Sequence, residues 1–348
     1  MATDSIGAHS FWQWVDELRR TQGQLLTFLG FGPEECSYRV IASGGHWRLR
    51  AYAETSSGAT VLIVAAPIKR PYIWDLCPRV SCIRNCVDHG LGVYLLEWIP
   101  PRAENDNLGL EEYVLAIGRA TTIVTKQDGG VKPYLIGHSL GGTLAAIFAA
   151  FQSDGIRGLI LLSSPLSFHP GASLFGDALV TKIPPGFWDL AVVPGSLVSA
   201  ASVLVSPEVF IWLRLVDWVS SLGDLVATEI HLRVEHWALD EVPVAGKLVG
   251  EIEHWLYCEN RFFSETLVIQ DRTVGPSTLR AKVVAVLNSA DGVAAPQAMT
   301  RFLDAMPYKY TDVIQYGGES GVGFQHVALL TGRKARATVW PEIFSRLR

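Results

Sequence analysis

The chain has 348 residues, 49% of them hydrophobic and 18% charged, which excludes a globally disordered protein. At roughly 150 residues per domain, that length suits one large α/β domain with an insertion, or two domains. Twenty-nine basic and 34 acidic residues give a net charge of −5 with no basic run, which argues against a general nucleic-acid binder.

The first segment with a clear period is Phe11 to Phe31. Its apolar residues fall at helical spacing, and it stops at Gly30 and Gly32-Pro33. Upstream of it there is no basic start followed by an apolar core, so no secretion signal is expected. Two alternating runs, Ser37 to Ser43 and His46 to Ala53, flank Gly44-Gly45 and predict a hairpin at a sheet edge. Thr60 to Ala66 is continuously apolar, as in a strand buried on both faces. A helix over Arg79 to Asp88 and a strand over Gly92 to Glu97 follow. Then come a helix over Leu110 to Gln127, a strand over Pro133 to Ile136, a helix over Leu140 to Phe151 and a strand over Gly158 to Leu162. Strands and helices that alternate through short connections predict a mainly parallel sheet with helices on both faces.

The alternation stops after Ser164. From Leu166 to about Leu279 the chain reads as helical and carries Trp188, Trp212, Trp218, Trp237 and Trp255, which burial preference assigns to a core. Alternation resumes with a strand over Lys282 to Leu287, a helix over Pro296 to Met306, a strand over Asp312 to Tyr316 and a helix around Ala335 to Leu347. The expected organisation is a sheet domain in two parts, 1–165 and 281–348, with a helical lid, 166–280, inserted after the sixth strand. Such a lid would cover the strand ends where open α/β sheets bind ligands. The apolar stretch from Pro194 to Leu222 is broken by Glu208, Arg214 and Asp217, which argues against a transmembrane span. The five cysteines are an odd number in a long chain, so no disulfide scaffold is expected. Cys77, Cys82 and Cys86 lack Cys-x-x-Cys spacing and read as buried thiols rather than metal ligands. The expected setting is the cytoplasm.

Gly137-His138-Ser139-Leu140-Gly141 matches G-x-S-x-G. The pattern alone is common; its place between an apolar strand and an apolar helix is what carries weight. A serine on a sharp strand-to-helix turn projects its Oγ from the top of the sheet, with the helix N-terminus behind it. Serine needs a base, and in this architecture the partners follow in the order Ser, Asp, His. His326 lies after the last predicted strand in a glycine-rich loop, Gly317 to His326. Asp291 follows the strand before it. The expected triad is therefore Ser139, Asp291 and His326, with Asp291 orienting the imidazole. The backbone N–H of Leu140 is the expected first oxyanion donor. The second is expected after Thr60 to Ala66, at Ile68, with Lys69 next, because Pro67 has no N–H. His138 reads as a packing residue beside the elbow, and no cofactor or metal is expected.

From about Thr60 onward the chain resembles the catalytic domain of polyhydroxyalkanoate synthases, within the α/β-hydrolase superfamily. The resemblance rests on Ala66 to Leu76, Val93 to Trp98, Val234 to Asp240 with Glu259-Asn260, Asp291 to Pro296, and His326 to Pro341. It implies an α/β-hydrolase fold and acyl transfer from a coenzyme A or carrier-protein thioester. The family's nucleophile is a cysteine; the matching position here is Ser139. A cysteine thioester stays activated for passing on, whereas a serine ester commits the acyl group to water or a strong acceptor. The resemblance is to the shorter, two-subunit class, which implies a second protein subunit or a homodimer.

The expected function is a serine acyl-transfer enzyme that hydrolyses or transfers an acyl group from a small ester or thioester. Two alternatives share the same residues. One is a polymerising synthase that works with serine; the other is a non-catalytic partner subunit that keeps the pocket.

Overall fold

The computed structural model describes residues 2–53, 58–102, 107–307 and 311–347. Eight strands form one sheet: β1 (Arg39–Ser43), β2 (Trp47–Ala53), β3 (Thr60–Val64), β4 (Gly92–Trp98), β5 (Tyr134–His138), β6 (Gly158–Leu162), β7 (Val283–Asn288) and β8 (Thr311–Tyr316). Their order is β1-β2-β4-β3-β5-β6-β7-β8. The β1–β2 and β2–β4 pairs are antiparallel, and every other pair is parallel. The expected fold class therefore holds, including the antiparallel hairpin at the sheet edge.

The continuous apolar strands are buried on both faces. Leu62, Val64, Leu135, Leu159 and Leu161 join one core cluster; Val61, Ile63, Ile136, Ile160 and Leu162 join the other. Successive side chains of a strand point to opposite faces, so each strand feeds both cores. The connecting helices α1 (Ala2–Leu26), α2 (Cys82–Asp88), α3 (Leu110–Gln127) and α4 (Leu140–Phe151) follow the expected order. α2 starts later than the expected Arg79. Residues Asp75–Cys77 and Val80–Ser81 pair as a short hairpin, and the Ser81 side chain then caps the helix by accepting the Arg84 N–H.

Between β6 and β7 lie α5 (Leu174–Lys182), α6 (Gly195–Val205), α7 (Leu213–Ser221), α8 (Leu225–Leu239) and α9 (Gly246–Glu251), with one small hairpin (Leu267–Ile269 with Arg272–Val274) and an antiparallel pairing of the distant Val192–Val193 and Val244–Ala245. This block has its own apolar cluster, including Phe175, Leu179, Trp188, Val193 and Leu197. The tryptophans divide unevenly. Trp188 is buried, but Trp212 is 62% exposed. α10 (Gln297–Ala305) then links β7 to β8. Among the described residues no single helix is long and apolar enough to cross a membrane; α6 and the segment Glu208–Ser221 meet at 107°.

Candidate active site

The turn between β5 and α4 is tight. Ser139 sits at φ 54°, ψ −134°, outside the regions L-residues prefer. Its own N–H donates to the Leu162 carbonyl at 3.1 Å, while its carbonyl accepts the N–H groups of Gly142 (2.9 Å) and Thr143 (3.0 Å). Glycine is required at two flanking positions. A Cβ on Gly141 would stand 2.3 Å from the Val64 carbonyl oxygen, and one on Gly142 would stand 1.9 Å from Ser164 Oγ.

His326 follows the glycine-rich loop after β8, and Asp291 follows β7. His326 Nε2 lies 2.8 Å from Ser139 Oγ, and His326 Nδ1 lies 2.7 Å from Asp291 Oδ2. The structure thus brings together three residues that are far apart in sequence. Burial alone would raise the Asp291 carboxyl. The charge of His326 when protonated, its hydrogen bond, and the N–H groups of Ala294 and Val293 hold it below its ordinary value. An ionised carboxylate only accepts, so the proton on His326 resides on Nδ1. Nε2 is then free to accept the Ser139 hydroxyl.

The two loops are tied to each other and to the inserted block. Asn288 Nδ2 donates to the Gln325 carbonyl at 2.9 Å, and the Ser289 N–H donates to the Tyr316 carbonyl at 2.9 Å. Asp217 on α7 accepts the N–H groups of Gly321 and Gly323, both at 2.7 Å. These two glycines have φ of 79° and 76°. Sequence reading missed Asp217, taking it only as a charge that interrupts an apolar stretch. It also read His138 as packing. The structure adds a hydrogen bond from His138 Nε2 to the His326 carbonyl at 2.7 Å. Burial, reinforced by the neighbouring His326, pushes His138 down to about 3, so its neutral ring donates from Nε2.

Ser139, Leu140, Ile68 and His326 line one cavity of about 450 Å3. The helix N-terminus places Leu140 directly after the serine, and Ile68 lies on the loop after β3, as expected. That loop is held from α8 and the residues after it. The Trp237 indole donates to the Arg70 carbonyl (2.8 Å), and the Lys69 ammonium donates to the Ala238 carbonyl (2.7 Å) and Glu241 (2.7 Å). Trp188 and Trp237 line the cavity, a placement that burial preference alone did not anticipate. All five cysteines are free, and no group of three or more metal-ligating side chains is placed to hold an ion among the described residues.

A family model described as alpha/beta hydrolase fold matches residues 111–193. The poly(3-hydroxyalkanoate) polymerase subunit PhaC of Haloferax mediterranei is 26% identical over 295 residues, 83% of this chain and 58% of the relative. The chain therefore spans about three-fifths of that relative's length. The subunit of the same name from Synechocystis sp. is 25% identical over 290 residues, 80% of this chain and 76% of its own. The chain has an α/β-hydrolase fold and is similar to poly(3-hydroxyalkanoate) polymerase subunits over about four-fifths of its length. A solved monoglyceride lipase from Saccharomyces cerevisiae shares the fold, with a TM-score of 0.55 at 11% identity, covering 89% of this chain and 95% of that one.

Proposed function

We propose that the chain is a serine acyl-transfer enzyme acting on an ester or thioester. The observation that carries this reading is the hydrogen-bonded series Ser139–His326–Asp291 opening on a largely apolar cavity. In the proposed cycle Ser139 Oγ gives its proton to His326 Nε2 and attacks the acyl carbon. The N–H groups of Leu140 and Ile68 hold the oxyanion. Asp291 stabilises the imidazolium, which then protonates the leaving alcohol or thiol. Water or another acceptor, deprotonated by His326, releases the acyl group from the serine. Residues 166–280 act as a lid over the cavity, and the scheme requires no cofactor.

A second reading is a polymerase working through serine. It is favoured by similarity to proteins named polymerase subunits over about four-fifths of the chain, and it carries a second protein subunit with it. Product analysis separates the two. The protein is given acyl and hydroxyacyl thioesters, with Ser139→Ala as control. Free acid or a single transfer product, lost in the variant, supports the first reading. An oligomer ladder supports the second. Full turnover by Ser139→Ala overturns both.

A further inference from the structure

Three cations line the cavity that holds Ser139: Arg19 from α1, Lys69 from the loop after β3, and Arg214 from α7. Much of the remaining wall is apolar. Glu241, just past α8, has a fully buried side chain and pairs with two of the three, Arg19 at 3.0 Å and Lys69 at 2.7 Å. One carboxylate thus serves two cations. Arg214 pairs through Nη2 with Glu235, which is 32% exposed. Its Nε is buried and has no hydrogen-bond partner among the described residues. Burial pushes the Lys69 ammonium down, Glu241 pulls it back up, and Arg19 and Arg214 push it down again. Lys69 therefore stands within the field of both arginines. Glu253 also lines the cavity and accepts the Cys258 thiol at 3.2 Å. With Glu235 and Glu241 it formally balances the three cations, but among the described residues it shares no ion pair with them.

A buried guanidinium N–H without an acceptor, such as Arg214 Nε, is costly unless a ligand meets it. Guanidinium groups present donors that match a carboxylate or phosphate. The Arg214 guanidinium lies over the Phe324 ring at 5.7 Å, and that ring is 5.8 Å from the His326 ring. The cationic end is thus one aromatic ring away from the base.

We propose that Arg214, with Lys69 and Arg19, forms an anion subsite that takes a carboxylate or phosphate carried by the substrate. The proposal rests on the acyl-transfer reading and adds the substrate class: an apolar acyl compound with one anionic end. The anion has two sources, a carboxylate at the far end of the acyl chain or a phosphate on the leaving thiol.

Three probes distinguish these sources: the hexanoyl thioester of N-acetylcysteamine, its adipoyl counterpart with a terminal carboxylate, and hexanoyl-coenzyme A. The expected result is a kcat/KM at least tenfold higher for the adipoyl or the coenzyme A probe than for the neutral one. A gain with the adipoyl probe assigns an acyl carboxylate, and a gain with coenzyme A assigns a phosphate. In Arg214→Gln the ratio falls toward one, and Arg214→Lys retains part of it. Equal kcat/KM for all three probes in the wild type overturns the subsite, as does a preference that survives intact in Arg214→Gln. Binding of the same probes to Ser139→Ala, followed by fluorescence of Trp12, Trp188 and Trp237 in the cavity wall, reads the subsite without turnover. Tighter binding of an anionic probe without wild-type turnover sustains the subsite and counts against the reaction. Equal binding with turnover does the reverse.

Discussion

Ser139 stores backbone strain that its neighbours make affordable. At Gly141 an added Cβ meets the Val64 carbonyl oxygen at 2.3 Å, and no rotamer can relieve a clash with backbone. Gly141→Ala is expected to cost about 1–3 kcal/mol and to lower turnover by displacing the end of β3 from the elbow. Gly250 on α9 is the control. A Cβ there meets nothing within 4 Å, so Gly250→Ala is expected to be neutral or to stabilise by up to about 1 kcal/mol. Thermal unfolding of the two variants checks both signs. His138 gives a pH prediction. Its folded value is pushed down to about 3 from an ordinary 6.5, so below pH 6.5 the unfolded chain binds a proton that the folded chain refuses. Stability from this residue is complete above pH 6.5 and falls by up to about 1.4 kcal/mol per pH unit toward pH 3. His138→Gln is expected to flatten that fall in denaturant titrations between pH 6.5 and 4; an unchanged slope would contradict it. At this scale the sequence was informative where the chemistry is local: G-x-S-x-G marks its own turn. The order Ser, Asp, His then left one histidine after the last strand. The bond from His138 to the His326 backbone spans 188 positions and leaves no local sign.

Among the elements, the loop from Gly317 to His326 depends most on a distant partner. It follows β8, and two of its glycines adopt left-handed backbone, so its own sequence does not hold it rigid. Asp217 supplies the constraint from α7, 104 and 106 residues away. Burial would raise that carboxyl, but His231 and the two loop N–H groups hold it below its ordinary value. Its contribution is therefore present above the ordinary carboxylate range and is lost as pH falls through the depressed value. Asp217→Ala leaves two buried N–H groups without their acceptor and is expected to cost about 3 kcal/mol. The same change should lower kcat and the rate of Ser139 labelling by a fluorophosphonate, with KM little changed, because the base is released while the cavity wall remains. Asp217→Asn, which keeps one acceptor oxygen, should recover part of both; wild-type kcat in Asp217→Ala would contradict this role. The boundaries of α3, α4 and the buried strands followed from periodicity, since strands with two buried faces and helices with a buried stripe carry strong patterns; α1 instead begins at Ala2, nine residues before the expected Phe11. The hairpin before α2 was hidden because its strands are two and three residues long, too short for a period.

Across the whole molecule, the N-terminal helix, the inserted block and the loop after β3 meet at Glu241. The Asp16 carboxylate accepts the Ser196 N–H at 2.7 Å, and Ser199 donates to Glu241 at 2.7 Å, so α1 and α6 are joined at the same place. Removing a buried partner of two cations is expensive. Glu241→Ala is expected to destabilise by about 3–5 kcal/mol in equilibrium unfolding, and a change under 1 kcal/mol would show that the cluster holds nothing together. The βα alternation and its interruption gave the architecture from sequence, but not this junction, which depends on charges brought from three separate segments. The central claim is that Ser139 forms the acyl-enzyme, and rapid-quench mass spectrometry of the intact protein with a thioester substrate tests it most directly. The account predicts a mass increase equal to the acyl group, mapped to the peptide bearing Ser139 and absent from Ser139→Ala. An adduct on another residue, or product formed at full rate by Ser139→Ala, would contradict it.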